Sequence, residues 1–561
     1  MNVSRSSPRL RRIRCAIRMT VLAQAALLAT GASALEIDSG NEDLSIRFDN
    51  TFKASTMYRL KNADPALVDA TRQVPTGAPA PAPASFAFPQ ALNFNAGDDN
   101  FRNKGFASKR IDLLSEFDIV YRKTFGARVS AAGWYDRAYR GQTDATDLGN
   151  GQSPYNEFPE STRKLAGRKA EVLDAFVFGG VELGEGRKLT ARLGRHALQY
   201  GETLFFGDNG IARAQGPVDV MKLQSSPNAQ FKEIIRPVPQ LSTQLQLSQD
   251  VTLGGYYQFR WEADRMAPAG SYFNTSNNIW GSTLPEIFGT FVLPAGSDKK
   301  PPNSGQFGAQ LKWRLDEADL GFYAARYHDK SGVFYSHVPT DWYYVFPEAI
   351  TTVGASVTRT VGGTNFSVEA SVRNNMPLVN ENIGYGFFPG QPEPKYARGR
   401  TAHVNVSWLA TLGPNLLARE STFIGELAFN SVLKYDDPDH QIDPLRTRNA
   451  SALQVIFSPT YRQALAGLDL SVPLGLRYAL EGRSSITGQG WGPRGTGAAT
   501  LGVEGNYLGV WQFTVNYTRY IGKATPFVDY TPLLTGGTPN YKLGNDLADR
   551  DNISVSLRRT F

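Results

Sequence analysis

Long stretches throughout the chain alternate between apolar and polar residues with a period of two. In the first such stretch, from Leu44 to Leu60, one parity is apolar and the other carries Arg47, Asp49 and Lys53. Successive side chains on a strand point to opposite faces, so the pattern predicts strands with one apolar and one charged face. After residue 34 no stretch approaches the roughly 18 apolar residues of a membrane-spanning helix, which excludes helical spans.

Eighteen segments share this alternation. They are 44–60, 110–122, 126–139, 172–183, 187–199, 239–248, 251–261, 305–315, 319–328, 351–360, 364–374, 401–410, 421–433, 451–463, 467–481, 498–507, 510–521 and 551–561. Short connections alternate strictly with long ones, and the long ones are 61–109, 140–171, 200–238, 262–304, 329–350, 375–400, 434–450, 482–497 and 522–550.

This sorting of connections is typical of transmembrane barrels, which have short periplasmic turns, long external loops and an even strand count. We therefore predict an all-β fold, a transmembrane antiparallel β-barrel of about 18 strands with long extracellular loops and short periplasmic turns. A soluble β protein of the periplasm stays possible, although it gives no reason for the sorting.

The N-terminus has the three parts of a secretory signal peptide. An Arg-rich start precedes an apolar stretch at 19–29, and Ala-Ser-Ala at 32–34 resembles a cleavage site. We predict a signal peptide at 1–34 and an outer-membrane barrel at 35–561, without an N-terminal plug domain. The formal net charge is +7, and six Arg residues lie in this leader. The basic pI of 9.2 therefore comes mostly from the leader and does not indicate a nucleic-acid partner.

The C-terminal segment is similar to the last strand of proteins that assemble into the bacterial outer membrane. It alternates and ends on the aromatic Phe561. Arg559 departs from this pattern, because its parity is normally apolar. An arginine near a strand end reaches the lipid headgroups with its charged tip.

Catalytic and metal-binding patterns are scarce in the sequence. The five His residues do not stand at metal-ligand spacing, and the only Cys lies in the leader, so no cofactor or metal is predicted. A Gly-x-Gly-x-x-Gly pattern at 490–495 falls in a predicted loop rather than between a strand and a helix. We predict a non-enzymatic protein, and an outer-membrane hydrolase remains an alternative.

Charged residues on the inward parity are the first candidates for lining a lumen. They are Arg47, Asp49, Lys53, Arg110, Asp112, Glu116, Asp118, Arg122, Arg260, Lys312, Arg314, Glu369 and Arg373. Individually they are compatible with a solvated inner wall of screened ion pairs. Some of them would bias solute selectivity if they lined a constriction.

The long connection 200–238 is the candidate for closing the lumen. Its closely spaced charges include Asp219, Lys222, Lys232, Glu233 and Arg236. An external loop has little need for such charges, whereas a segment folded against a charged wall can pair with them. We predict that part of this connection packs inside the barrel, against inward residues such as Arg47, Asp112 or Arg260.

Aromatic residues concentrate in two of the predicted external loops. They are Tyr272, Phe273, Trp280, Phe288 and Phe291 in one loop and Trp342, Tyr343, Tyr344 and Phe346 in the other. The favoured interpretation is an aromatic girdle at the outer membrane interface. The alternative is an apolar surface that captures hydrophobic ligands.

Several motifs resemble a proteobacterial family known as domain of unknown function 1302. They include Leu-Glu-Ile-Asp-Ser-Gly-Asn at 35–41, Gly-Arg-His-Ala-Leu-Gln-Tyr-Gly-Glu at 194–202, Pro-Val-Asp-Val-Met-Lys-Leu at 217–223 and Gly-Tyr-Tyr-Gln-Phe-Arg-Trp-Glu at 255–262. The resemblance covers essentially the whole mature chain. It implies an outer-membrane barrel, an exported companion protein and an inner-membrane efflux-type transporter as possible partners, and traffic of an apolar solute. It assigns no residues.

Together these observations predict an outer-membrane channel or uptake protein. The resemblance implies that its solute is a small hydrophobic molecule, such as a steroid, an ester or a lipid-like compound, and the surrounding outer-membrane lipid would be a further partner. A structural or envelope-interaction barrel, whose loops bind an external partner, stays open as the alternative.

Overall fold

Eighteen strands form one closed antiparallel barrel. The computed structural model describes residues 35–68, 95–145, 156–226, 230–275, 294–337, 341–379, 396–437, 442–525, 528–529, 540–541 and 543–561, and the predicted leader lies outside them. The strands are β1 (Leu44–Arg59), β2 (Gly105–Tyr121), β3 (Phe125–Asp136), β4 (Arg168–Gly184), β5 (Arg187–His196), β6 (Val238–Gln246), β7 (Val251–Gln258), β8 (Gln306–Leu315), β9 (Ala318–Tyr327), β10 (Ile350–Val361), β11 (Thr364–Leu378), β12 (Ala397–Leu412), β13 (Glu420–Tyr435), β14 (Asn449–Leu465), β15 (Leu468–Ser471 and Leu474–Glu481), β16 (Gly497–Tyr507), β17 (Trp511–Ile521) and β18 (Asn552–Thr560).

The barrel closes because β1 pairs with strands from both ends of the chain. Ser55 on β1 lies opposite Arg110 on β2 and opposite Ser556 on β18. Where β18 ends, a short strand, Leu35–Ile37, continues along the same edge of β1. The closed ladder leaves the barrel sheet without a free edge over its length.

The two faces of each strand differ as the alternation predicts. On β2, Ile111, Leu113 and Phe117 are exposed, while Arg110 and Asp112 occupy the opposite face. Large exposed apolar side chains recur in this way around the barrel, which is the outer surface that a transmembrane barrel presents to lipid. No helix in the described part of the chain is long and apolar enough to cross a membrane.

Short turns join the strands at one end of the barrel and long connections join them at the other, which confirms the predicted sorting. Glu185 and Asp316 adopt the left-handed conformation that such tight turns need. β15 is interrupted at Pro473, which has no N–H to donate to the ladder. The alternation located all eighteen strands, but β2 and β4 begin four to five residues earlier than predicted.

The long connections carry short helices and hairpins. The helices are Pro65–Val68, Ala96–Asn100, Arg137–Arg140, Glu160–Thr162, Arg163–Gly167, Ile211–Ala214, Val220–Ser225 and Phe231–Ile234. Two small hairpins are formed by Val333–His337 with Asp341–Val345 and by Val528–Asp529 with Asn540–Tyr541. The buried apolar clusters lie between these loops and the inner wall, as where Met57 and Ala107 on the strands contact Phe101, Phe158 and Tyr272 on the loops.

Candidate functional site: the loop-filled lumen

The connection 200–238 enters the barrel, and a buried carboxylate of the wall holds its first half. Glu369 on β11 is 2% exposed and accepts hydrogen bonds from the backbone N–H groups of Glu202 (2.6 Å) and Ile211 (2.6 Å). The side chain of Glu202 contacts Lys312 on β8. Irregular backbone at membrane depth needs partners for its polar groups, and here the wall supplies them.

Two further charged residues of the wall bind the same segment. Glu426 on β13 accepts hydrogen bonds from the N–H groups of Leu204 (3.2 Å) and Phe206 (2.9 Å). Arg373 on β11 donates to the carbonyl of Asn209 (2.8 Å). The carboxylates bind backbone donors and the guanidinium binds a backbone acceptor, so the wall complements both kinds of backbone group.

The side chain of Asn209 is inserted into a polar cluster of the wall. Its Nδ2 donates to Oδ1 of Asn405 (2.9 Å), and its Oδ1 accepts from Nδ2 of Asn430 (3.2 Å) and lies 3.0 Å from Nδ1 of His403. All four residues are buried. Because a buried amide needs partners for both of its ends, this cluster fixes the position of the segment along the barrel.

Glycines allow the segment to approach the wall this closely. Gly201 has a φ of +88°, and a Cβ there would lie 2.2 Å from Oε2 of Glu369. A Cβ on Gly210 would lie 2.8 Å from Oε1 of the same carboxylate. The motif at 194–202 therefore ends on the glycine that leaves room for Glu369 and on the N–H group of Glu202 that donates to it.

Arg213 ties three long connections together beneath the outer loops. Its buried guanidinium pairs with Asp208 (3.2 Å), Asp264 (2.9 Å) and Asp329 (2.6 Å). Burial raises the pKa of Asp208 to about 6 despite the nearby arginine. Because the three aspartates come from separate connections, Arg213 makes the loops one packed body inside the barrel.

Residues that the sequence singled out in the second half of 200–238 stabilise that half itself. Oδ1 of Asp219 accepts from the N–H of Lys222 (3.0 Å) at the start of the helix Val220–Ser225, and Asp219 also pairs with Arg265 (2.9 Å). Nζ of Lys222 donates to the carbonyl of Glu233 (2.7 Å). The Lys222 contact joins the two short helices, and the pair of Asp219 with Arg265 joins this half to the connection 262–304.

The two remaining candidates of this connection differ from each other. Arg236 lies 4.0 Å from the carboxylates of Glu171 and Glu262, whereas Lys232 is exposed. The contacts with Glu369, Arg373 and Glu426 come from residues 202–211, which the charge spacing did not single out. The sequence signal for the half that contacts the wall is the spacing of its glycines. The role of these glycines becomes clear only when the positions of the wall residues are known.

The candidate residues of the wall fall into several groups. Four pairs form with near neighbours: Arg47 with Asp49 (2.6 Å), Arg110 with Asp112 (2.6 Å), Asp118 with Arg128 (2.6 Å) and Arg314 with Asp319 (3.1 Å). Arg122 pairs with Asp43 at a turn. Across the β1–β2 ladder, Glu116 lies opposite Asp49, and Lys53 lies opposite Asp112. Arg260 is exposed beyond the end of β7. Lys312, Glu369 and Arg373 contact the folded-in segment.

The expected partners of the folded-in connection were wrong in detail. Arg47 and Asp112 pair within the wall instead, and Arg260 lies outside the strand. The hydrogen bonds that hold the segment come from β11 and β13, on another part of the barrel. Arg47 and Asp112 each form an ion pair with a residue two positions away on the same strand, so neither needs a charged partner from the loop.

The aromatic loop 329–350 forms a hairpin rather than a lipid-facing girdle. Trp342, Tyr343 and Phe346 are buried, and the ring centroids of Trp261 and Phe346 are 4.7 Å apart. A girdle residue would expose its ring to lipid, so the girdle interpretation is wrong for this loop. Of the other aromatic loop, Tyr272 is buried, and Trp280, Phe288 and Phe291 lie outside the described residues.

A cavity of about 660 Å³ lies between the folded-in connection and the outer loops. Its apolar lining includes Val218, Leu223, Met266, Phe334, Tyr344, Leu378, Ile486 and Trp491. Its charged lining includes Asp208, Asp264, Lys330, Arg446, Arg477, Arg483 and Asp546. Gly490 and Gly492 of the Gly-rich pattern are part of this lining, so these glycines belong to a loop of the cavity rather than to a dinucleotide site. Pockets of this size, mostly apolar with a few polar groups, suit small organic ligands.

One buried Ser–His pair bears on the hydrolase alternative. Nε2 of His196 lies 2.8 Å from Oγ of Ser242, and its Nδ1 lies 3.1 Å from the carbonyl oxygen of Gly194. His196 is 1% exposed and, unlike Lys330, does not line the cavity described above, so a ligand in that cavity has no access to it. The imidazole is oriented by a backbone carbonyl instead of a carboxylate, and the pair gives the hydrolase interpretation no support.

Solved structures with a similar fold share little sequence with this chain. OccAB4 of Acinetobacter baumannii is 9% identical, with a TM-score of 0.42 over 92% of this chain and 98% of that one. The outer membrane protein OpdK of Pseudomonas aeruginosa is also 9% identical, with a TM-score of 0.39 over 92% and 98% of the two chains. The outer membrane channel DcaP of Acinetobacter baumannii is 10% identical, with a TM-score of 0.34 over 94% and 100%.

No curated protein matches the sequence. One family model, described as a protein of unknown function (DUF1302), matches residues 15–561, which is almost the whole chain. The motif at 194–202 that resembles this family is the one that ends at the Glu369 contact. The chain belongs to the DUF1302 family.

Proposed function

We propose that the protein is an outer-membrane channel or uptake protein for a small, mainly apolar molecule. The observation that carries this proposal is the cavity of about 660 Å³, which aromatic and aliphatic side chains line above a segment folded into the barrel. A barrel of eighteen strands leaves an aqueous lumen unless loops fill it. The folded-in segment narrows that lumen, and the cavity gives it a place for a ligand.

The contacts of the segment favour this role over a purely structural barrel. Glu369, Arg373 and Glu426 are charged groups buried inside the barrel, and ionisable groups inside a membrane protein are candidate functional groups by default. A barrel that served only to display loops would be filled adequately by apolar packing. The arrangement of charges around irregular backbone suits a selective constriction.

Reconstitution into liposomes tests the proposal. The purified full-length protein is inserted into vesicles, and entry of uncharged and amphipathic solutes is followed by light scattering alongside single-channel current in planar bilayers. We expect solute-dependent swelling and discrete current steps. A correctly assembled barrel that passes neither solute nor ions would contradict the proposal and favour the structural alternative.

The location in the outer membrane is tested separately by fractionation. We expect the protein in the outer-membrane fraction, with a heat-modifiable migration on gels that is typical of folded barrels. Recovery in the soluble periplasm would contradict this part of the proposal.

A further inference from the structure

A buried lysine lines the cavity without a carboxylate beside it. Lys330 follows β9 and is 1% exposed. Its Nζ donates to the carbonyl of His328 at 3.4 Å and lies 5.2 Å from the ring centroid of Tyr327. In the described ranges, no carboxylate oxygen lies within 4.0 Å of this nitrogen. An ammonium group buried with so few partners is unfavourable unless something else pairs with it.

The nearest acidic residues already bind another cation. Arg213 is within 3.2 Å of Asp208, 2.9 Å of Asp264 and 2.6 Å of Asp329. Oδ2 of Asp264 also accepts from Ser331 (2.8 Å). These carboxylates are therefore committed to the junction of the loops rather than to Lys330.

A second cation of the cavity is in a similar position. Arg477 on β15 donates to the carbonyl of Gly490, and its guanidinium carbon lies 5.1 Å from the ring centroid of Phe206. Within the described chain, its guanidinium likewise has no carboxylate oxygen within 4.0 Å. The loop at 488–490 contacts Arg477 and the residue that follows Lys330: the carbonyl of Gly490 accepts from Arg477, and a Cβ on Gly488 would lie 3.1 Å from Oγ of Ser331.

The rest of the lining is predominantly apolar. Phe334 and Tyr344 come from the hairpin, Leu378 from the outer end of β11, and Ile486 and Trp491 from the connection 482–497. A ligand that pairs with the cations would leave the remainder of its surface against these side chains. The lining thus combines two incompletely paired cations with an extended apolar surface.

We propose that this cavity binds an amphipathic organic acid, whose carboxylate pairs with Lys330, with Arg477 as a second cation of the same lining, and whose hydrocarbon or aromatic body lies against Phe334, Tyr344, Leu378 and Ile486. The inference rests on the proposed channel function and names the chemical class of its solute. It refines the expected hydrophobic molecule by adding one acidic group. The carboxylate would supply the partner that the buried ammonium lacks.

A matched pair of probes tests the assignment. The full chain in lipid nanodiscs is titrated by calorimetry with 4-phenylbutyric acid and with 4-phenylbutanol, which differ only in the charged group. We expect the acid to bind at least about tenfold more tightly than the alcohol, because a charge-assisted contact contributes that much. Equal affinity of the wild-type protein for the two probes would overturn the proposal.

Variants then locate the preference. Lys330→Met should remove the preference for the acid while leaving the affinity for the alcohol in place, and Lys330→Arg should retain part of it. Lys434→Met is the control, because Lys434 is an exposed lysine on β13, paired with Asp436. An acid preference that survives Lys330→Met in a heat-modifiable barrel would also overturn the assignment.

The failure of this inference is distinguishable from the failure of the channel function. Solute entry into liposomes without acid preference leaves the channel intact and refutes the acid class alone. Acid-selective binding without any flux supports the site and refutes the channel.

Discussion

At the scale of single residues, Gly201 decides how closely the folded-in segment approaches the wall. Its φ is +88°, and a methyl carbon added at this position would lie only 2.2 Å from the Glu369 carboxylate, which leaves no room for a side chain. Gly184 has a similar φ of +81° in a periplasmic turn, with no atom within 4 Å of such a carbon. Substitutions at these two glycines therefore allow the effect of backbone strain to be measured apart from the effect of a steric collision.

We predict that Gly201→Ala destabilises the barrel more than Gly184→Ala. Both variants add backbone strain of roughly 1 kcal/mol, and the collision at Gly201 adds a further roughly 1 to 3 kcal/mol. The measurement is the temperature at which migration on gels shifts to that of the unfolded chain. Equal shifts for the two variants would mean that Glu369 moves away without loss.

A second prediction at this scale concerns pH. Burial lowers the pKa of Lys330 to about 7, and the nearby charge of Arg213 acts in the same direction, while Asp264 and Asp329 oppose it. Burial raises the pKa of Asp208 to about 6. As pH rises through this range, Lys330 loses its proton and Asp208 gains a negative charge, and both changes disfavour a bound carboxylate.

We therefore expect affinity for 4-phenylbutyric acid to fall as pH rises from about 6 to about 8, since the charged amine is the form that pairs with it. Affinity for 4-phenylbutanol should stay nearly constant over the same range. Calorimetric titration at several pH values measures both. A flat profile for the acid would show that the amine is charged throughout, or that it does not contact the probe.

At the scale of elements, the two ends of the segment inside the barrel lie close together. The N–H of Tyr200 donates to Oε1 of Gln215 (3.3 Å), so the two ends of the segment already meet. Residues 202–211 can therefore be replaced by a short Gly-Ser linker that leaves Arg213 in place, without stretching the strands that flank the connection.

We predict that this replacement raises single-channel conductance severalfold, because it removes the irregular backbone that fills part of the lumen. The double variant Glu369→Gln, Glu426→Gln should loosen the same segment and make the current noisier. Glu420→Gln is the control, because Glu420 is an exposed residue of β13, paired with Arg462. Unchanged conductance in a correctly assembled barrel would mean that another loop sets the constriction.

At the scale of the whole molecule, a buried cluster of charges joins the two ends of the barrel sequence. Arg59 at the end of β1 pairs with Asp98 (2.9 Å) and Asp549 (2.7 Å), and Arg550 pairs with Asp98 (3.2 Å). Burial, with the neighbouring Asp98, raises the pKa of Asp549 to about 7. The cluster closes the outer side of the seam between β1 and β18.

We predict that Arg550→Met destabilises the folded protein by about 3 to 5 kcal/mol, because it leaves buried carboxylates short of a partner. Arg558→Met, at an exposed position of β18, should change stability by less than about 0.5 kcal/mol. Urea-dependent unfolding in lipid vesicles measures both variants. A small effect of Arg550→Met would indicate that Arg59 alone neutralises the cluster.

How much of the structure could be predicted from the sequence also differs between single residues, elements and the whole molecule. Arg559 breaks the apolar parity of the last strand, and the structure places its guanidinium carbon 5.0 Å from the ring centroid of Trp511 on the neighbouring strand. That cross-strand partner was invisible in the sequence of β18. The aromatic residues at 342–346 were recognised as a group, but only their hairpin pairing explains why they are buried.

The sequence by itself determined the strands, their faces and the sorting of their connections, because alternation and turn residues are local properties of the chain. Only the tertiary structure decided which residues meet inside the barrel. Glu369 binds an N–H group 158 residues away, and Glu426 one 220 residues away. Such contacts depend on how an irregular connection folds against the barrel wall. No periodic pattern in the sequence predicts how that connection folds. The buried position of Lys330 beside the cavity is decided in the same way, by loops that converge from separate parts of the chain.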